Sequence, residues 1–231
     1  MQNQHTMKKI FIHFVALWAL CSANVLLAAI NPRVLMQTNL GELVIELFPR
    51  ESPVTVKNFL DYVDSDFYNG TIFQRVVPGF FIQGGEFTSD FTTKPTRAPI
   101  KNESGNGLKN EYLTVAMAHS EGAISGTNLV RSQFFINMQN NTALNANGKS
   151  LGYPVFGRVI EGIEIAEKIS LQPRGMHEKF PEAPNLSVHI LKIERLYASK
   201  PAVDIKVENE MQTETSATET SAEETPASVQ P

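Results

Sequence analysis

Residues 41–48, GELVIELF, run apolar and β-branched without helical gaps, the pattern of a strand, and Asn39-Leu40-Gly41 supplies a turn into it. Runs of the same type recur at 71–77, 80–84, 113–118, 133–137, 155–159 and 188–196, punctuated by Gly, Asn and Pro. Two segments follow a helical period instead. The first opens on Ser52-Pro53, an N-cap followed by proline at the first helical position, and carries Val56, Phe59, Leu60 and Val63 at i, i+3, i+4 and i+7. The second covers about 163–169, with Ile163, Ala166 and Ile169 expected toward the core. Many strands with two helices predict a mainly β fold, a closed barrel whose open ends are plugged by helices. No repeat of fixed period is visible.

The two ends break this pattern. Lys8 and Lys9 precede an apolar run and then small residues up to Ala29, the layout of a secretory signal peptide over residues 1–29, cut near Ala28 or Ala29, with an uncleaved membrane anchor as the alternative. Cys21 suggests a lipid-carrying thiol, but Leu20 before it is bulky where such a site wants a small residue. Residues 198–231 are rich in Thr, Ser, Glu and Ala and nearly without large apolar groups, so ordering them would cost more than burial returns. They are expected to form a disordered acidic tail. Between these ends, residues 30–197 form one domain.

Charge and cysteine content narrow the function. The whole chain carries −4, the leader +2 and the tail −5, which leaves the body near −1. So neutral a body lacks the basic face that phosphate recognition needs, and nucleic acid is not an expected partner. Cys21 is the single cysteine, so a chain cut after the leader has neither a disulfide nor a cysteine-based zinc site. His119, His177 and His189 have no ligand spacing, and no metal is expected.

The segment Phe73-Gln74-Arg75-Val76-Val77-Pro78-Gly79-Phe80-Phe81-Ile82-Gln83-Gly84-Gly85 is the most unusual of the chain. A lone arginine sits between apolar strand neighbours, and a Pro-Gly turn leads to a second apolar strand ending on an amide and two glycines. With Phe73 and Val77 toward the core, Arg75 and Gln83 share the opposite face. The run Ser132-Gln133-Phe134-Phe135-Ile136-Asn137 adds another amide and two rings, of which Phe134 is assigned to the core. Together they outline a shallow groove with an aromatic floor, two amides and one guanidinium, without a carboxylate or a nucleophile. Gly84-Gly85 fits a bulge or tight bend, since no Lys-Ser/Thr pair and no helix follow as a phosphate loop requires.

The run FQRVVPGFFIQGG, with PVTVKNF upstream and SQFFIN and VFGRVIEG downstream, resembles the cyclophilin-type peptidyl-prolyl cis-trans isomerases, and most of all the exported cyclophilins of Gram-negative bacteria. The resemblance spans nearly all of 34–196. It implies a closed eight-stranded antiparallel β-barrel capped by two α-helices, isomerase activity without a cofactor, and proline-containing segments of unfolded or partly folded proteins as partners. It also implies Arg75 as the catalytic residue. Phe80, Phe135, Leu144 and Tyr153 would line the proline pocket, Gln83 and Gln133 would hold the substrate backbone, and Met117 and Ala118 match the strand that pairs with the substrate main chain. Gln74 stands where many members have His, Phe81 where Met is frequent and His119 where Asn is frequent. Ala143 replaces the Trp of the drug-sensitive eukaryotic members, and the 121–131 stretch is longer than usual.

The chemistry needs no nucleophile, because no bond is broken. Rotation about an X-Pro amide is opposed by ~18–20 kcal/mol of lost resonance, and uncatalysed exchange takes tens to hundreds of seconds. At mid-rotation the proline nitrogen gains a localised lone pair. A guanidinium, which cannot lose its proton, can donate to that lone pair in the twisted state only. The expectation is a monomeric, periplasmic folding catalyst with no membrane insertion once the leader is cut. The alternative is a non-catalytic peptide-binding module or holdase chaperone that uses the same groove.

Overall fold

The structure is a computed structural model that describes residues 31–119, 129–177 and 180–197. The leader, the tail and most of the 121–131 stretch lie outside the described residues. In chain order the strands are β1 (Arg33–Thr38), β2 (Gly41–Leu47), β3 (Thr71–Ile72), β4 (Arg75–Val77), β5 (Phe81–Gly84) and β6 (Ile100–Lys101). There follow β7 (Thr114–His119), β8 (Leu129–Asn137), β9 (Val155–Glu161), β10 (Arg174–His177), β11 (Phe180–Pro184) and β12 (His189–Leu196). The helices are α1 (Pro53–Asp64) and α2 (Ile163–Ser170), with one 3-10 turn at Thr142–Leu144.

Ten strands form one antiparallel sheet in the order β3-β12-β1-β2-β9-β7-β8-β5-β4, with β6 added to β8, while β10 and β11 form a separate hairpin. The expected count of eight is therefore exceeded, and the sheet has two ends, β3 and β4, with no ladder between them. These end strands are consecutive in the chain and joined only by Phe73-Gln74. A link of two residues reaches at most about 10 Å, so the sheet must curl until its edges come close. No ladder joins the two edges; instead Ile72 N–H of β3 donates to Phe87 O, beyond β5, at 2.8 Å, and Phe73 N–H to Val188 O, just before β12, at 2.9 Å.

The interruption at Phe73-Gln74 also corrects the expected alternation. Phe73 is buried in the core, but so is Val76, while Val77 packs on the outer face beside Phe81. With the ladder broken, the period of two restarts at Arg75, so Arg75 and Val77 share a face and Val76 takes the inner one.

The core fills the space inside the curled sheet with Val34, Met36, Ile45, Phe134, Ile136 and Phe156 and with the apolar faces of both helices. In α1, Val56, Phe59, Leu60 and Val63 are all buried, as the spacing predicts. Phe59 packs against Tyr68, Phe134 and Phe156 at centroid distances of 5.2, 5.8 and 5.1 Å. Ser52 occupies the N-cap, yet its hydroxyl donates to Val155 O at 2.6 Å. The free amides at the helix start go to Glu103, whose Oε2 accepts from Thr55 N–H at 2.8 Å and from the Thr55 hydroxyl at 2.7 Å. In α2, Ala166 and Ile169 are buried, but Ile163 is exposed and Ile165 packs on the core in its place. The helix begins at Gly162 with φ of 74°, where a Cβ would meet Glu42 O, and Ile165 packs against Gly41, where a Cβ would meet its Cδ1.

Candidate active site

The ladders place the chemistry-bearing residues in one row across the sheet. Arg75 on β4 pairs with Gln83 on β5, Gln83 with Phe135 on β8, Phe135 with Ala116 on β7, and Ala116 with Val155 on β9. On β8, Phe134 and Ile136 face the core, so Gln133 and Phe135 face the other way. Phe81, Phe135, Ala116, Ala118 and Val155 form a second apolar cluster on this outer face, flanked by Val77, Phe80, Leu108, Leu144 and Tyr153.

A cavity of about 320 Å³ lies over this row, lined by Arg75, Phe80, Gln83, Ala118, Phe135, Leu144 and Tyr153, and also by Phe81 and His119. Seven of the nine expected site residues thus meet at one cavity. Met117 does not line it, because its side chain is fully buried in the core. Only its main chain can face a ligand, and its N–H already donates to Pro154 O at 3.1 Å. Gln133 does not line it either. Its Oε1 accepts from Gln83 Nε2 at 2.7 Å and from Gln74 Nε2 at 2.9 Å, and its own Nε2 donates to Glu86 Oε2 at 2.9 Å. Since Glu86 can only accept, the Gln133 amide is fixed with its oxygen toward Gln83, and the Gln83 carbonyl is turned away from it.

The apolar wall is held from behind by buried asparagines. Asn141 Nδ2 donates to Phe80 O and to Asn137 Oδ1, both at 2.7 Å, and Asn137 Nδ2 donates to Asn110 Oδ1 at 3.1 Å. Asn110 Nδ2 in turn donates to Leu144 O at 3.1 Å, which fixes the 3-10 turn bearing Leu144. The rings interlock: Phe81 and Phe135 lie 5.2 Å apart, and Phe135 and Tyr153 meet nearly edge to face at 5.4 Å. His119 stacks on Tyr153 at 4.4 Å with an interplanar angle of 19°. Its Nε2 lies 3.0 Å from Gly152 O and 3.3 Å from Asn102 Nδ2.

The groove is not free of carboxylates, contrary to expectation. Arg75 Nε donates to Glu182 Oε2 at 2.5 Å, and its guanidinium carbon lies 4.9 Å from the Phe81 ring centroid. Glu182 belongs to β11, in a hairpin that no sequence pattern announced. Phe81 and His119 were likewise noted only as departures from the resemblance. The His119 position on β7, directly after Ala118, was the available signal for it.

Arranged in this way, the cavity offers a fixed cation at one side, an amide beside it and a wall of aromatic rings. The family model for cyclophilin type peptidyl-prolyl cis-trans isomerase/CLD matches residues 33–195. The chain is 48% identical over 160 residues to a peptidyl-prolyl cis-trans isomerase of Acinetobacter baylyi, covering 68% of this chain and 83% of that protein. It is 46% identical over 155 residues to peptidyl-prolyl cis-trans isomerase B of Escherichia coli, covering 64% of this chain and 92% of that one. A crystal structure of a cyclophilin type peptidyl-prolyl cis-trans isomerase of Cryptosporidium parvum is similar with a TM-score of 0.61 and 31% identity, over 73% of this chain and 99% of that one. The chain belongs to the cyclophilin family of peptidyl-prolyl cis-trans isomerases. Isomerisation of the X-Pro bond is the activity of that family, and its substrates are proline-containing peptides.

Proposed function

We propose that catalysis takes place in the 320 Å³ cavity, with Arg75 as the catalytic residue and an X-Pro segment of an exported, incompletely folded protein as substrate. Proline enters the pocket formed by Phe80, Phe135, Leu144 and Tyr153, where burial of the ring excludes water and fixes its plane. Gln83 holds the adjoining backbone through its outward carbonyl, with Gln133 fixing it from behind, and Ala118 with the Met117 main chain lies beside the substrate strand. The carbonyl side of the bond then rotates while the ring is held. As the nitrogen loses conjugation, the terminal N–H groups of Arg75 donate to its lone pair.

A thousandfold acceleration over the thermal rate amounts to ~4 kcal/mol at 1.36 kcal/mol per decade. One charge-assisted hydrogen bond in a partly dry groove together with orientation of the ring can supply this. The observation that carries the reading is the transverse pairing of Arg75, Gln83 and Phe135, which sets cation, amide and ring side by side. A second Cryptosporidium parvum structure, determined in the presence of the dipeptide Ala-Pro, is similar with a TM-score of 0.60 and 29% identity, which supports a proline pocket on this fold. The leader supports action in the periplasm, and the domain is read as a monomer with residues 198–231 as a solubilising appendage.

A protease-coupled assay on an X-Pro peptide tests the assignment. Arg75→Ala is expected to lose on the order of a hundredfold in kcat/KM while keeping peptide affinity. Full activity in that variant overturns the role of Arg75, and a wild-type protein that binds peptide without accelerating exchange identifies a holdase.

A further inference from the structure

We propose that Glu182 is a positioning residue for the isomerase reaction, acting through Arg75; the inference rests on Arg75 being the catalytic cation. The Arg75 side chain has four rotatable bonds and loses rotamer entropy when its guanidinium is fixed. Two contacts hold it before substrate arrives. Glu182 Oε2 accepts from Nε at 2.5 Å, and the guanidinium lies 4.9 Å from the centroid of the Phe81 ring, which lines the same cavity.

The atom used is the informative part. Nε–H is the single donor on the inner edge of the fork, so a carboxylate there leaves the four N–H bonds of the terminal nitrogens for the cavity. Among the described residues no other side chain bonds the guanidinium. Glu182 reaches Arg75 because β11 packs beside β4, although the two strands share no ladder. The β10–β11 hairpin is anchored by Phe180, which packs on Phe87 at 4.9 Å and on Phe91 at 5.1 Å. Its carboxylate is thus held by the scaffold and not by the substrate.

Two consequences of this pair oppose each other. The carboxylate orients the fork, which assists the transition state, and it offsets part of the positive charge, which works against it. Both side chains retain contact with water, 43% and 30% exposed, so the charge offset is screened while the geometric effect is not. Orientation therefore dominates, and removal of Glu182 must slow the chemical step.

The test is a double-mutant cycle on the full chain with a proline peptide, reading kcat and KM separately. Glu182→Ala is expected to lower kcat about tenfold with KM within twofold, and Glu182→Gln, which keeps an acceptor for Nε–H, to fall between it and wild type. Once Arg75 is replaced by Ala, the further change Glu182→Ala is expected to cost nothing more. Unchanged or raised kcat in Glu182→Ala, or equal losses with and without Arg75, overturns the inference. A change confined to KM or to the thermal midpoint overturns it as well, because it marks a merely structural residue. If instead Arg75→Ala is as active as wild type, the catalytic assignment has failed and not the positioning alone.

Discussion

At the scale of single residues, this cyclophilin presents the same polar groups that its sequence displays, but their orientation comes from carboxylates elsewhere in the chain. Glu86 settles the direction of the Gln133 amide, and Gln133 settles that of Gln83. Replacement of Glu86 by Ala removes the acceptor that fixes the direction of the linked amides, so Gln133, Gln74 and Gln83 can flip together and the Gln83 carbonyl is no longer held outward. Glu86→Ala is accordingly expected to raise KM for a proline peptide by roughly threefold to tenfold, about 1 kcal/mol, with little change in kcat. Steady-state kinetics decide it, and an unchanged KM would remove Gln83 from substrate binding. Part of the cavity lining was legible because contiguous motifs carry it, Arg75, Phe80 and Gln83 in one run and Phe135 in another. Glu182 was not, since it lies 107 residues from Arg75 and its strand, FPEAP, holds two prolines that hide the pattern. Gln133 was read one layer too far outward: alternation gives the face of a strand, but not whether a neighbour such as Gln83 covers the side chain.

At the scale of elements, the structure departs from the sequence reading where a ladder or helix is interrupted. The strand expected over 71–77 divides at Phe73-Gln74, and the inward residue moves from Val77 to Val76. The stripe of α1 was fully legible, whereas in α2 Ala166 and Ile169 are buried as read, with Ile163 at the exposed margin of the stripe and Ile165 packed on the core instead. The end of α1 offers a pH-dependent test. Asp64 sits at a helix C-terminus, where its charge opposes the dipole, and Arg195 on β12 offsets this through two hydrogen bonds at 2.7 and 2.6 Å. The Arg195 hydrogen bond holds the Asp64 carboxyl below its ordinary value. The stabilisation is therefore complete above the unfolded-state carboxylate range and disappears as pH falls through the lower, folded value. Because the pair is solvent-exposed, its worth is below about 1 kcal/mol. Urea unfolding of Asp64→Asn should show that deficit at pH 7 and a smaller one near pH 3; a constant deficit would assign the effect to packing.

At the scale of the whole molecule, a curled sheet with its core inside leaves its outer face free to carry a groove, so the core and the candidate site occupy opposite faces of the same strands. Strands such as β7 and β8 supply both, with Phe134 inward and Phe135 outward. The mainly β class and both helices could be read from periodicity, but the ten-stranded topology could not, because β3, β4 and β6 are two or three residues long and lie below the length at which alternation is visible. The described residues reach Tyr197 and include the whole cavity. A chain ending there is expected to match the full chain in kcat/KM and to within about 2 °C in Tm, and a loss of activity would assign residues 198–231 a part in catalysis. The account as a whole turns on whether Arg75 acts on the transition state or on binding. Exchange spectroscopy by NMR, with a labelled X-Pro peptide and catalytic amounts of protein, measures cis-trans exchange and affinity in one sample. Arg75→Ala should bind the peptide within a few-fold of wild type and slow catalysed exchange on the order of a hundredfold; exchange at the wild-type rate in that variant contradicts the account.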